Sequence, residues 1–120
     1  MKDPEFYTYI LTNWNKTVLY TGYTQNLSKR LLEHWVGEEG SFTTKYKVYY
    51  LVWYNVTKYV LNAINFEKEI KNWSRTKKET LINEANPEWR FLNESLLGNW
   101  PPTKEQIDDT VNRMKSYKQK

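Results

Sequence analysis

The sequence predicts a small α/β domain of the α+β kind, a three-stranded sheet flanked by helices with an extra helix at the C-terminus. Three observations predict it. Residues 6–11 (FYTYIL) and 17–20 (TVLY) are rich in aromatic and β-branched side chains. They flank Asn13-Trp14-Asn15-Lys16, which reads as a hairpin turn because asparagine tolerates left-handed backbone angles. Residues 48–54 (VYYLVWY) form a third run of β-formers, and segments with apolar residues at helical spacing follow the second and third strands.

The first two strands place Tyr9 and Tyr20 on neighbouring strands, at one side of the sheet. Gly22 then permits a close backbone approach, or a positive φ where the chain leaves the sheet. Thr24 or Asn26 can cap a first helix over residues 26–35, because a short side-chain oxygen accepts from an orphan backbone N–H. Leu27, Leu31 and Trp35 form its inward stripe, with Arg30 and His34 four apart beside it. Gly37 and Gly40 flank an acidic loop, and residues 41–47 are polar and basic. The third run lacks polar alternation, as a strand covered on both faces does, so it is expected at the centre of the sheet.

Thr57 is the expected cap of a second helix reaching Trp73, with Val60, Ala63, Ile64, Ile70 and Trp73 as its apolar stripe. Glu67 falls inside that stripe. A carboxylate on the core side of a helix is costly unless paired, protonated or holding a metal. Ser74, Thr76 or Lys77 begins a third helix that ends before Asn86-Pro87, since proline disfavours helix in the residue ahead of it. Trp89, Phe91, Leu92, Leu96 and Leu97 should fold back on the core. Residues 98–102 are a break, and 103–116 form a terminal helix with a weak stripe at Ile107, Val111 and Met114. Residues 117–120 are expected to fray. Asp3-Pro4-Glu5-Phe6 reads like restriction-site sequence, so residues 1–6 are set aside.

A chain of 120 residues is expected to hold one domain, over residues 1–97, with 98–120 as a helical extension. Hydrophobic residues make up 39% and mean hydropathy is -0.86, so the surface must be very polar. Eighteen Lys and Arg face fourteen acids, for a net +4, which suits a polyanionic partner. With no cysteine and one histidine, disulfide scaffolds and thiolate or multi-imidazole zinc sites are excluded. No apolar run approaches a membrane span, and no signal peptide is visible, so a cytoplasmic location is expected.

Tyr20-Thr21-Gly22, then Arg30 eight residues after the glycine and His34 one turn on, resembles the second half of the GIY-YIG nuclease signature. Tyr7-Thr8-Tyr9-Ile10-Leu11 resembles the first half. Tyr7 and Thr8 replace its glycine and isoleucine, and Thr21 is the middle residue of the second motif. Residues 63–73 resemble the helix that carries the family's metal-binding glutamate, at Glu67, with Phe66 where members commonly have arginine. Asn86 matches a late polar residue. The likeness is to small single-domain members and to the N-terminal domain of the excision-repair endonuclease.

The resemblance implies Mg²⁺- or Mn²⁺-dependent hydrolysis of phosphodiesters in DNA, branched and single-stranded forms included, and a place in DNA repair. Tyr9, Tyr20, Arg30, His34, Glu67 and Asn86 are then the catalytic candidates, with Glu67 as metal ligand. Such chemistry needs a deprotonated water and a cationic fork for charge developing on the phosphate, which Arg30 supplies. Tyr9 or Tyr20 would take the proton, and His34 could relay it. Mg²⁺ keeps most of its waters, so one carboxylate is an adequate anchor. Lys71, Arg75, Lys77 and Lys78 form a basic cluster suited to a phosphate backbone. Each residue also has a plainer reading: Glu67 and Lys71 stand at ion-pair spacing, and Asn86 can end a helix. A nucleic-acid-binding module without catalysis, or a subunit activated by a protein partner, are the alternatives.

Overall fold

The computed structural model describes residues 3–118, with side chains through residue 116. Its elements are β1 (Phe6–Thr12), β2 (Leu19–Thr24), α1 (Leu27–Val36), α2 (Phe42–Lys45), β3 (Tyr50–Thr57), α3 (Val60–Lys71), α4 (Arg75–Ala85), α5 (Asn93–Leu97) and α6 (Lys104–Lys118). The sheet is antiparallel throughout, in the order β2-β1-β3. Helices cover both of its faces, as a three-layer α+β domain requires.

The alternation of β1 divides the core in two. Tyr9 and Leu11 point to one face and pack with Leu27, Leu31, Val48 and Leu51 under α1. Ile10 points to the other and packs with Val52, Trp53, Ile70 and Ile82 under α3 and α4. Both faces of β1 are therefore buried, and its threonines are satisfied. Thr8 Oγ1 donates to the Ala63 carbonyl at 2.9 Å, and Thr12 Oγ1 to that of Val18 at 2.8 Å.

The central strand is thus β1, and the expectation that residues 48–54 fill that place is overturned. A β-bulge explains the misleading pattern. Ile10 pairs with Trp53 but Leu11 pairs with Leu51, so Val52 is an extra residue. Val52 and Trp53 consequently share one core cluster while Leu51 enters the other. The outer edge of β3 is covered by side chain and loop. Asn93, fully buried, accepts from Leu51 N and donates to the Tyr49 carbonyl, both at 2.8 Å. Leu92 N donates to the Leu51 carbonyl at 2.8 Å, and Asn86 Nδ2 to that of Val52 at 3.0 Å.

Other boundaries shift for local reasons. β2 runs on to Thr24, because Thr21 and Tyr23 continue the β pattern past Gly22. Asn26 caps α1 through Lys29 N, while the Thr24 hydroxyl accepts from Asn26 N. Tyr59, not Thr57, is the N-cap of α3 and makes no side-chain bond there; Thr57 Oγ1 accepts from Tyr59 N, two residues ahead of the cap. Ser74 caps α4, and Asn86 ends it. The polar segment 41–47 contains α2, capped by Ser41. α6 continues through Lys118, past the expected fraying point; Gln119 and Lys120 lie outside the described residues. Of the residues set aside, Met1 and Lys2 also lie outside them, whereas Phe6 opens β1 and is buried.

Candidate active site

Register brings the first residues of the site together. Tyr9 pairs with Gly22, and Leu11 with Tyr20, so both tyrosines project from the α1 face. A Cβ at position 22 would overlap the Tyr9 hydroxyl, so the glycine is there to let the phenol lie across β2. Tyr9 is 1% exposed. Its hydroxyl is 3.0 Å from His34 Nε2, and the Arg30 guanidinium is close enough for its charge to act on it. His34, 4% exposed, has its other nitrogen 3.2 Å from Thr43 Oγ1 on α2. The rings of Tyr9 and Tyr20 meet His34 edge-on, at 5.9 and 5.6 Å.

Arg30 donates to Glu33 Oε1 at 3.0 Å in a half-buried pair. Burial opposes its charge, but Tyr9 and Glu33 outweigh that and hold its pKa above the ordinary arginine value. Burial raises the Tyr9 pKa; Arg30 works against the rise, and Tyr20 and Glu67 add to it. Tyr9 is thus a phenol at neutral pH. Burial, then the Arg30 charge, pushes the His34 pKa down to about 3, so the ring is neutral. A neutral ring cannot hold a second proton, which limits the relay expected of His34.

Tyr20, Arg30, His34 and Thr43 line a cavity of about 250 Å³, with Phe42 and Met114 on its apolar wall. Arg30 also borders an adjoining hollow of about 420 Å³ with Tyr23, Thr24 and Lys29. The guanidinium therefore stands between two open spaces, where an anion can reach it.

Glu67 lies at the margin of the core and not within it. Its side chain is 19% exposed and pairs with Lys71 at 2.9 Å, and the buried residues of α3 are Ala63 and Ile70. Its charge still acts on Tyr9, so it belongs to the same electrostatic neighbourhood. Among the described residues there is no group of three His, Cys, Asp or Glu side chains that could enclose a metal. One carboxylate facing a cationic partner suits a hard ion that keeps its waters, and Lys71 Nζ marks where positive charge sits.

Asn86 is placed elsewhere. Its amide bonds Val52 O, Arg90 O and Arg90 N, and it lines a separate cavity with Trp53, Tyr54 and Leu92. The basic cluster is largely engaged. Lys71 pairs with Glu67, and Lys77 stands 4.3 Å from the centre of the Trp73 ring. Arg75 donates to the Thr17 and Lys16 carbonyls at 2.7 and 2.9 Å, which braces the β1–β2 turn, and pairs with Glu79. Lys78 is half-buried. Sequence reasoning missed Thr43, whose segment shows no periodicity. The spacing of Ser41 ahead of Thr44, the cap of α2, is the signal that could have revealed it.

A paired tyrosine hairpin, a following helix bearing Arg30 and His34, and a carboxylate on the helix after β3 make up the candidate site of this α+β domain. The sequence profile of the GIY-YIG catalytic domain matches residues 5–80, and the chain belongs to that family, a family of nucleases. It is 40% identical over 83 residues to a UPF0213 protein of Syntrophus aciditrophicus, covering 68% of this chain and 93% of the relative. It is 38% identical over 78 residues to a UPF0213 protein of Natronomonas pharaonis, covering 65% and 91%. A solution structure of a UPF0213 protein from Bacillus halodurans shares 28% identity, with a TM-score of 0.49 over 75% of this chain and 95% of that one.

Proposed function

We propose that the chain is a metal-dependent endonuclease that hydrolyses phosphodiester bonds in DNA. The observation that carries this reading is the convergence of Tyr20, Arg30 and His34 on one cavity, with Tyr9 buried behind them against His34 and the charge of Glu67 acting on Tyr9. Arg30 binds a non-bridging phosphate oxygen and stabilises the charge that grows there. Tyr20 faces the cavity, and its phenolic oxygen takes the proton of the attacking water. The water oxygen bonds to phosphorus, the bond from phosphorus to the 3′ oxygen breaks, that oxygen takes a proton from solvent, and a 5′-phosphate and a 3′-hydroxyl result. Tyr9, buried behind, holds Arg30 and fixes its direction. Glu67 would anchor Mg²⁺ or Mn²⁺, displacing the half-exposed Lys71 ammonium. Such an ion, when bound, polarises the phosphate and stabilises the leaving oxygen.

The test is cleavage of plasmid, branched and single-stranded DNA with Mg²⁺ or Mn²⁺. Glu67→Ala and Arg30→Ala should keep the fold and lose about 10²–10³-fold in rate, the usual cost of losing such an electrostatic anchor. Salt-sensitive DNA binding by wild type with no product on any substrate would instead establish a binding module. Nuclease activity equal in wild type and both variants would reject the site.

A further inference from the structure

Trp14 is 73% exposed although two rings stand against it, Tyr50 at 5.9 Å and Phe91 at 5.8 Å between ring centres. It ends a continuous band of aromatic side chains. Phe91 stacks on Tyr50 at 4.2 Å and 24°. Tyr50 meets Tyr49 at 4.9 Å, Tyr49 meets Trp35 at 4.8 Å, and Trp100 packs edge-on against Trp35 at 5.2 Å. Each of these other rings is half-buried and keeps part of its surface in solvent. The band thus runs from the β1–β2 turn, at Trp14, to the last turn of α1, at Trp35. There a hollow of about 320 Å³ is lined by Trp35, Tyr49, Lys47 and His34, and His34 also lines the candidate cavity. The aromatic band therefore leads to the candidate site.

A lysine stands at each end of the band. Lys16 Nζ lies 5.3 Å from the centre of the Phe91 ring, and Lys47 borders the hollow. Both are exposed, and neither has a carboxylate partner among the described residues. Both also occupy left-handed backbone, at φ 60° and 54°. Glycine takes those angles freely and a residue with a Cβ seldom does, so backbone conformation does not account for lysine at either position.

We propose that this band binds single-stranded DNA: bases stack on its rings from Trp14 onward, Lys16 and Lys47 hold phosphates, and the strand continues past Trp35 toward the candidate cavity. In a duplex the faces of the bases are covered by their neighbours, whereas in a single strand they are open, so a stacking surface selects single strands. Unpaired ammonium groups beside the rings suit a polyanion with aromatic bases and not an uncharged apolar partner. Binding stands on the band and its two lysines; delivery of the strand for cutting rests on the proposed nuclease reading.

The experiment is fluorescence anisotropy of a labelled oligothymidylate about 15 nucleotides long, within the usual range of single-strand site sizes, with the full chain in EDTA over a range of salt. Trp14→Ala should weaken its binding by about 5–150-fold, the range for losing one stacked base, and change binding of a duplex of the same length by less than about twofold. Lys16→Gly, which φ 60° accommodates without strain, should lower the slope of log affinity against log salt by about 0.7. Oligothymidylate binding that ignores Trp14, an equal loss on the duplex, or an unchanged Lys16→Gly slope would overturn the proposal. So would tighter binding of oligouridylate, or displacement of the strand by a proline-rich peptide. If Trp14→Ala fails to fold, the Lys16→Gly slope decides. The expected binding pattern in a wild type that cuts no DNA with Mg²⁺ would support the band and overturn the nuclease reading. Cleavage by a wild type whose oligothymidylate binding ignores Trp14 would overturn the band and leave that reading standing.

Discussion

Burial and the Arg30 charge keep His34 neutral down to about pH 3, whereas an unfolded chain takes up this proton near 6.5. Between those values the unfolded state binds more protons than the native state, so stability is complete above about 6.5 and falls as pH drops through the window. The limiting slope is about 1.4 kcal/mol per pH unit, reduced by whatever relaxation lets water in. Urea unfolding from pH 7 to 4 should therefore show a steeper loss for wild type than for His34→Asn, which has no ring to protonate. Equal slopes would mean that the imidazole is solvated. Gly22 makes a second residue-scale prediction. Gly22→Ala forces the Tyr9 ring aside, which should destabilise the fold by about 1–3 kcal/mol and weaken cleavage in the same variant. The gathering of Tyr9 and Tyr20 about His34, with Arg30 on the same cavity wall as His34, was legible as spacing. Thr43 was not, because its contact with His34 depends on how α2 folds back. Asn86 had the expected position in sequence and a different neighbourhood in space.

Elements were legible where local pattern dominates and obscure where tertiary pairing does. The hairpin, α1 and α4 follow from β-formers, an Asn cap and a Ser cap. The place of β3 at an edge could not be read, because a bulge at Val52 and a buried asparagine from α5 imitate the signature of an inner strand. Asn93 is the corresponding element-scale prediction. Its amide replaces two strand hydrogen bonds at full burial, so Asn93→Ala leaves Leu51 N and Tyr49 O unpaired. The expected cost is about 2–4 kcal/mol, read as a lower midpoint in urea with an unchanged slope. A cost below about 0.5 kcal/mol would show that solvent enters and satisfies that edge.

The molecule as a whole carries a net +4, but its lysines and arginines are not a uniform basic face. Lys71, Arg75 and Lys77 already have partners, and Arg75 ties α4 to the β1–β2 turn. Substitution of Arg75 by Ala should lower the melting temperature while leaving the salt dependence of DNA binding almost unchanged. A slope reduced by about one unit would instead identify Arg75 as a phosphate contact. α6 lies outside the residues matched by the family profile, yet it packs on α1 and sets Met114 into the wall of the candidate cavity.

The cover on β3 also has a consequence for the order in which the chain is made. Residues 48–53 are uncharged, free of proline and rich in β-formers, the composition that favours intermolecular strand pairing. Their protection comes from Asn86, Leu92 and Asn93, which a ribosome adds only after α3 and α4. Until those residues are in place this edge can pair with another chain, so Asn93→Ala, which opens it, should lower the soluble yield more than Arg75→Ala, which does not.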